Sequence, residues 1–120
     1  MITTTTGKAI AALNALGELR GQKINRDTAK ALFHLKKQLN DSSEFYVEQI
    51  CEVCDRLGVA MINGVVQFGD AADKREAFIR EVADIEAVEA KLDCEPVDLS
   101  GEEIKISAEF VEATDGFIKL

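Results

Sequence analysis

Apolar side chains recur at helical spacing near the start of the chain and predict a first helix from about Lys8 to Arg20. Four aliphatic residues follow one another at three-residue steps on one helix face: Ile10, Leu13, Leu16 and Leu19. Thr6 is the predicted N-cap, because its hydroxyl can accept a hydrogen bond from a free amide of the first turn. Gly21 is the predicted stop, since glycine adopts the left-handed conformation without penalty.

A longer apolar stripe follows Asn25, the predicted cap of a second helix that ends at Gly58. The stripe consists of Ala29, Leu32, Leu35, Leu39, Tyr46, Ile50, Val53 and Leu57. The polar segment 40–43 interrupts it with residues that favour turns and caps. The pattern fits either one helix of about 34 residues or two helices that meet at this segment. Continuity is favoured, because no glycine or proline forces a stop.

A β-hairpin over residues 59–68 is the strongest local signal in the chain. Asn63 and Gly64 separate two β-prone runs, and both residues tolerate the positive φ that a tight hairpin turn requires. A lone two-stranded ribbon is marginal in water, so the hairpin is expected to pack on helices or to gain a further strand.

Two more helices are predicted after the hairpin. The third begins at Asp70 as its cap and ends near Asp93, just before the only proline. Its apolar stripe is Phe78, Val82, Ile85 and Leu92. Two short extended segments, 97–99 and 104–106, come next, and one of them is a candidate edge strand for the hairpin. Ser107 caps a terminal helix that should dock on the core through Phe110, Val111, Thr114 and Phe117.

These elements predict an α+β fold that is mainly helical, with a long central helix, three shorter helices and a small antiparallel β-hairpin. The 120 residues suffice for a single domain, 1–120, without a linker. No apolar run approaches the roughly 18 residues of a membrane-spanning helix, so no membrane association is expected. The first residues also lack the basic and apolar regions of a secretory signal.

The net charge of −8 is divided unevenly along the chain. Residues 1–37 carry seven basic and two acidic side chains, which gives +5, and residues 38–120 carry seven basic and twenty acidic ones, which gives −13. Two halves of opposite sign could pair within one molecule or between copies, or both could be solvated helix faces. Direct nucleic-acid binding is not expected, because the acidic half would repel phosphates and no basic strip rich in aromatic residues exists.

Cys51 and Cys54 form a C-x-x-C motif, which raises the alternatives of a redox or a zinc site. A redox pair works best at a helix N-terminus, whereas this pair lies in the last third of a helical pattern. A zinc site needs about four ligands, and only Cys94 and His34 could complete it. A continuous helix would place His34 about 25 Å from Cys51. The odd number of cysteines favours a reduced intracellular setting, with the thiols packed as small apolar side chains.

No arrangement typical of an enzyme stands out. His34 is the sole histidine and has no recognisable nucleophile as a partner. Gly7 and Lys8 do not complete a phosphate-binding loop, because the motif needs a glycine at position 2 and a hydroxyl residue at position 9. We therefore predict no catalytic residue, no metal and no cofactor.

The order of these features resembles a loosely defined group of small tailed-bacteriophage proteins. The resemblance is carried by the leucine-rich segment 11–16, the basic step into a long helix at 23–32, the turn at 62–65, the helix end at 81–86 and the tail 106–117. Members of this group have no assigned activity, so the resemblance implies no catalytic residues.

Together, these observations predict a phage-encoded, non-enzymatic accessory protein that acts by stoichiometric protein–protein binding. Two versions are open: a factor in virion or tail assembly, with a phage structural protein as partner, and an inhibitor of a host defence complex. Self-association into a homo-oligomer is a further alternative. The expected location is the host cell cytoplasm or the virion. The alternative is a small zinc or redox protein that uses the C-x-x-C cysteines.

Five residues of the second helix are the candidate protein-binding site. Phe45 and Tyr46 are adjacent aromatic residues that cannot point wholly into one core, so one interpretation is that at least one of them is exposed and anchors a partner. The alternative is a wide apolar stripe that buries both. Lys30, Lys36 and Lys37 are the basic candidates, and a solvated helix face is the alternative for them.

Overall fold

One long helix runs through the whole molecule in the structure, a computed structural model that describes residues 1–120. The helices are α1 (Thr6–Ala15), α2 (Arg26–Leu57), α3 (Ala72–Glu86) and α4 (Ala108–Ala113), with a 3-10 helix at Leu16–Leu19. The strands are β1 (Ile2–Thr5), β2 (Ala60–Ile62), β3 (Val65–Gln67), β4 (Glu89–Leu92), β5 (Val97–Asp98) and β6 (Ile118–Lys119). This architecture confirms the predicted α+β class with one long helix, three shorter α-helices and an antiparallel hairpin.

Helix α2 is continuous through the polar segment 40–43, as predicted. The side chain of Asn25 caps it by accepting a hydrogen bond from the backbone N–H of Asp27 at 2.9 Å. Gly58 ends it in the left-handed conformation, with φ of 69°. Its 32 residues correspond to a length of about 48 Å. Helix α2 therefore spans nearly all of the 51 Å long axis of the molecule.

Helix α1 begins at Thr6, two residues earlier than predicted, and the predicted cap is wrong. Thr5 is the N-cap, since its hydroxyl accepts a hydrogen bond from the backbone N–H of Lys8. Thr6 is buried, and its Oγ1 donates a hydrogen bond to the carbonyl oxygen of Val88 at 3.0 Å. Thr6 thus ties the start of α1 to the segment that follows α3.

The buried face of α1 also differs from the predicted stripe. Ala9 and Ala12 are fully buried, whereas Ile10 and Leu13 are only half-buried. Small residues allow α1 to approach its neighbours closely. At Gly7 a Cβ atom would lie only 2.9 Å from the Cβ of Glu86 at the end of α3.

Both predicted ends of α3 are wrong. The helix starts at Ala72 without a side-chain cap, although Asp70 was the predicted cap, and it ends at Glu86 rather than near Asp93. The residues beyond it form β4, which pairs antiparallel with β1, a strand that the sequence analysis did not predict. Buried and exposed positions alternate along β4, as expected for a strand with one face on the core.

The predicted hairpin is confirmed. Strands β2 and β3 pair antiparallel around Asn63 and Gly64, whose φ angles are 52° and 78°. The hairpin gains no third strand, because β5 instead pairs in parallel with β6 at the end of the chain. Residues 104–106 form no strand. Gln22 takes the place of a strand partner, because its side-chain amide bonds both the N–H and the carbonyl of Lys105, at 2.6 and 2.8 Å.

The predicted terminal helix is confirmed as α4, with Ser107 as its cap. The Ser107 hydroxyl accepts a hydrogen bond from the backbone N–H of Phe110 at 3.1 Å. Phe110, Thr114 and Phe117 are buried, so this segment docks on the core as expected, although α4 already ends at Ala113. Val111 instead faces solvent.

Two separate groups of buried residues hold the structure together. The main core contains Ile2, Ala9, Ala12, Leu16, Leu19, Leu32, Leu35, Leu39, Leu92, Val97, Leu99, Phe110, Phe117 and Ile118. The end cluster contains only Ile50, Val53, Cys54 and Ile85. The radius of gyration is 16.7 Å, against about 14 Å for a compact chain of this length. The molecule is therefore elongated along α2. None of its helices combines the length and apolar composition needed to cross a membrane.

Candidate protein-binding surfaces

The three candidate lysines all lie on α2, but the structure separates them. Lys30 and Lys37 are exposed and seven residues apart, so they share the side of α2 that faces away from the main core. Lys36 lies instead at the rim of a cleft of about 390 Å³ beside the 3-10 helix. The cleft is lined by Leu13, Leu16, Gly17, Leu19, Arg20, Gln22, Ile24, Ala29, Leu32 and Lys36. It therefore offers two cations and an apolar floor, without a carboxylate, imidazole or thiol.

The structure also separates the two candidate aromatic residues. Phe45 is 38% exposed and lies at a shallow cleft beside β4. Tyr46 is half-buried against the end cluster. Its burial, and secondarily the nearby charge of Glu86, raise the pKa of the Tyr46 hydroxyl. Phe45 is therefore the aromatic side chain of this pair that a partner could reach. The binding role of all five candidate residues stays a prediction.

An exposed apolar surface at the turn of the hairpin was not predicted from the sequence. We call it the hairpin tip and define it by Met61, Ile62 and Val65. Ile62 and Val65 are cross-strand neighbours that are 56% and 60% exposed, and Met61 is 37% exposed. Val66, one residue further, packs on the end cluster. The sequence did contain a signal for this exposure. Both strands carry apolar residues on both faces, whereas a half-buried ribbon alternates apolar and polar residues.

The backbone of the hairpin is also open to a partner. Strands β2 and β3 pair only with each other, so the outer edge of each strand has no neighbouring strand. The base of the hairpin is held more firmly. The rings of Phe68 and Phe78 meet edge to face at 5.3 Å, and the Arg75 guanidinium lies 5.6 Å from the centre of the Phe68 ring.

The cysteines are distributed over both ends of the molecule. Cys54 belongs to the end cluster and Cys51 is exposed, whereas Cys94 packs against the main core. Burial raises the pKa of the Cys54 thiol, and the adjacent Cys51 and Asp55 add to this effect. Burial also raises the pKa of Cys94. These shifts favour the thiol over the reactive thiolate.

The structure does not bring the candidate metal ligands together. The imidazole of His34 is exposed, and its Nε2 lies 3.2 Å from the carbonyl oxygen of Asp93, on the Cys94 side of the molecule. No group of three or more His, Cys, Asp or Glu side chains is arranged to hold a metal ion.

Comparisons with protein-family models, with curated proteins and with solved structures gave no match to this chain. The resemblance to tailed-bacteriophage proteins therefore stays a prediction.

Proposed function

We propose that this protein is a non-enzymatic accessory protein of a tailed bacteriophage, which binds another protein stoichiometrically through the hairpin tip. The observation that carries the proposal is the exposure of Ile62 and Val65, each more than half open to solvent on the outward face of the hairpin. Adjacent exposed aliphatic side chains are typical of surfaces that a partner covers.

The architecture of the hairpin supports the same proposal. A ribbon of two three-residue strands is marginal in water on its own. A partner that covers the outward face would bury Ile62 and Val65, and a partner segment aligned with β2 or β3 would also satisfy the unpaired backbone groups of that edge. Because Phe68 and Phe78 anchor the base of the hairpin, the partner would meet a surface that is already positioned.

The first version of this function is virion or tail assembly, with a phage structural protein as partner. The second version is inhibition of a host defence complex. The zinc or redox alternative gains no support from the raised pKa of the Cys54 thiol or from the position of Cys94 at the other end of the molecule.

The test is affinity capture from infected and uninfected host cells, with the wild-type chain and two matched variants. Ile62→Thr/Val65→Thr keeps β-branched side chains while making the hairpin tip more polar. Ile79→Thr/Val111→Thr makes the same kind of change at two exposed residues outside the hairpin. We expect one partner at a fixed molar ratio to the wild type and to the control variant, with at least about tenfold weaker capture by the hairpin-tip variant.

The origin of the captured protein distinguishes the two versions. A phage structural protein would support assembly, and a host protein captured without infection would support inhibition. Equal capture by all three chains would contradict binding through the hairpin tip. The absence of any stoichiometric partner would contradict the proposed function itself.

A further inference from the structure

One side of α2 faces solvent along the whole length of the helix. We call it the solvent face. Its residues recur at three- and four-residue spacing and are all exposed: Arg26, Lys30, Phe33, Lys37, Asn40, Glu44, Val47, Glu48, Cys51 and Asp55. The contacts of α2 with α1, α3 and the strands involve its other side, which carries the buried residues of the main core and the end cluster. The solvent face is thus a helix surface about 48 Å long without a partner in the monomer.

The charges of the solvent face are segregated. Its N-terminal half carries Arg26, Lys30 and Lys37, and its C-terminal half carries Glu44, Glu48 and Asp55. Within each half, like charges lie four residues apart, as in the pairs Arg26–Lys30 and Glu44–Glu48. Such pairs repel each other on a helix surface, so the pattern does not stabilise α2 itself.

No ion pair within the monomer includes these charged residues. The three ion pairs of the structure join the N-terminal amine to Glu95, Arg56 to Glu81, and Lys91 to Glu89. None of them includes a residue of the solvent face. Each half of this face also exposes one large apolar side chain, Phe33 at 67% and Val47 at 54%.

We propose that the solvent face of α2 binds the same face of a second copy of this chain, with the two helices antiparallel. In the register that places Lys37 opposite Glu44 of the second copy, Arg26 lies opposite Asp55, because both pairs of residue numbers have the same sum. Phe33 then lies opposite Glu48, within one residue of Val47. Two-fold symmetry repeats every contact, so the dimer contains two contacts between a basic half and an acidic half. A parallel arrangement would instead bring like charges together.

This dimer goes beyond the proposed function and does not depend on it. Strand β2 follows the C-terminal end of α2 directly, so antiparallel pairing places the two hairpin tips at opposite ends of the dimer. Both hairpin tips stay free for a partner. A protein that dimerises but captures no partner would support only the dimer. A protein that captures a partner but stays monomeric would support only the proposed function.

Charge reversal gives a sharp test of the antiparallel pairing. Lys30→Glu/Lys37→Glu gives both halves of the solvent face a net negative charge, although Arg26 stays basic, and Glu44→Lys/Glu48→Lys gives both halves a net positive charge, although Asp55 stays acidic. Light scattering at about 1–100 µM protein and about 50 mM salt should report twice 13.1 kDa for the wild type. Each variant alone should be a monomer of about 13 kDa. Their equimolar mixture should form a heterodimer, because both basic–acidic contacts are then restored.

Two controls separate this surface from general charge effects. Lys8→Glu/Lys105→Glu changes the net charge as much as the first variant but alters exposed residues outside α2, so it should remain a dimer. The fourfold variant Lys30→Glu/Lys37→Glu/Glu44→Lys/Glu48→Lys exchanges the two halves at an unchanged net charge of −8. It should dimerise like the wild type, and it also tests the pairing if a double variant fails to fold.

The inference would be overturned by a wild-type monomer over the whole concentration range at low salt. It would also be overturned if both reversal variants remained dimers, since association would then use another surface. A mixture of two folded, monomeric variants that stays monomeric would exclude the antiparallel contact. At about 500 mM salt we expect a larger monomer fraction of the wild type, because salt screens the exposed charges.

Discussion

The two ends of the molecule differ in how much apolar surface they bury, although one helix runs through both. The N-terminal half of α2 contributes Leu32, Leu35 and Leu39 to a main core of fourteen buried residues. The C-terminal half contributes Ile50, Val53 and Cys54 to an end cluster of only four. Free energy of folding depends on buried apolar area, so the hairpin end should open locally at lower cost than the rest.

This difference in buried apolar surface indicates where the chain can bind a partner. At the main-core end, α1, α4 and the paired strands bury apolar residues against one another, although Phe33 and Val111 stay exposed. At the hairpin end, the short strands leave Ile62 and Val65 exposed because no further strand or helix covers their outward face. The part of the protein that is least stabilised internally therefore also offers a partner two adjacent exposed apolar side chains.

The largest expected effect comes from a matched pair of truncations on α2. Leu39→Ala should lower the free energy of unfolding of the whole chain by about 2–5 kcal/mol, because Leu39 is fully buried in the main core. Ile50→Ala should lower it by at most about 2 kcal/mol, because half-exposed neighbours can move into the space. Urea denaturation followed by circular dichroism measures both values.

Amide hydrogen exchange shows which segments each of these two variants destabilises. Ile50→Ala should accelerate exchange mainly in β2, β3 and α3, whereas Leu39→Ala should accelerate it throughout the chain. Equal losses of stability together with the same exchange pattern would show that the two ends unfold as one unit, and would contradict a lower stability of the hairpin end.

A second prediction concerns the close approach of α1 and α3. Gly7→Ala places a Cβ atom 2.9 Å from the Cβ of Glu86, which belongs to the rigid part of that side chain. We expect a loss of about 1–3 kcal/mol in the free energy of unfolding. Gly17→Ala is the matched control, since no atom lies within 4 Å of its added Cβ, and it should be neutral or slightly stabilising. Similar values for both variants would argue against close packing at Gly7.

A third prediction concerns the hydrogen bonds that fix α4 to the 3-10 helix. The Ser107 hydroxyl caps α4 and donates to Glu18 Oε2 at 2.9 Å, while the Ser107 N–H donates to Glu18 Oε1 at 2.6 Å. Ser107→Ala should lower the free energy of unfolding by about 1 kcal/mol. Ser107→Asp, which keeps a capping oxygen but places a second carboxylate beside Glu18, should restore little of this loss. Full recovery would mean that the cap alone matters.

The smallest effect is a pH dependence at the main-core end. The hydroxyl and the backbone N–H of Ser100 donate to Asp98 Oδ1 at 2.6 and 2.9 Å and lower the pKa of Asp98. The folded protein therefore favours the carboxylate. This contribution to stability is present above the unfolded-state pKa and is lost as the pH falls through the lowered folded-state pKa.

Asp98→Asn should consequently reduce stability slightly at neutral pH and leave it unchanged at pH values below the folded-state pKa. Thermal unfolding temperatures measured from about pH 2 to pH 7 test this expectation. Parallel curves of unfolding temperature against pH for the wild type and the variant would show that Asp98 does not contribute to the loss of stability in acid.

The features that the sequence predicted correctly are those whose chemistry lies within a few residues. Asn25 bonds an amide two residues away, and Ser107 bonds one three residues away. Asn63 and Gly64 form the hairpin turn through their own backbone preferences. The long apolar stripe also predicted α2 and its continuity, because its helical period persists on both sides of the polar segment.

The candidate site was predictable only in part. The adjacency of Phe45 and Tyr46 indicated that at least one of them would be exposed, but only the packing of the end cluster determined that Tyr46 is the more buried. The exposure of the hairpin tip was not predicted, because apolar residues such as Met61, Ile62 and Val65 are typical of a buried core when their neighbours in space are unknown.

The sequence by itself thus determined the presence of the four helices, the caps Asn25 and Ser107, and the hairpin, since these depend on periodicity and on hydrogen bonds between near neighbours. Only the tertiary structure decided that Ile2 pairs with Leu92 and Val97 with Ile118. Only the tertiary structure decided that small residues face the core from α1 and that apolar residues remain exposed at the hairpin tip. Strand pairing and burial depend on which surfaces meet after long loops close, and that choice is not encoded in any single segment of the chain.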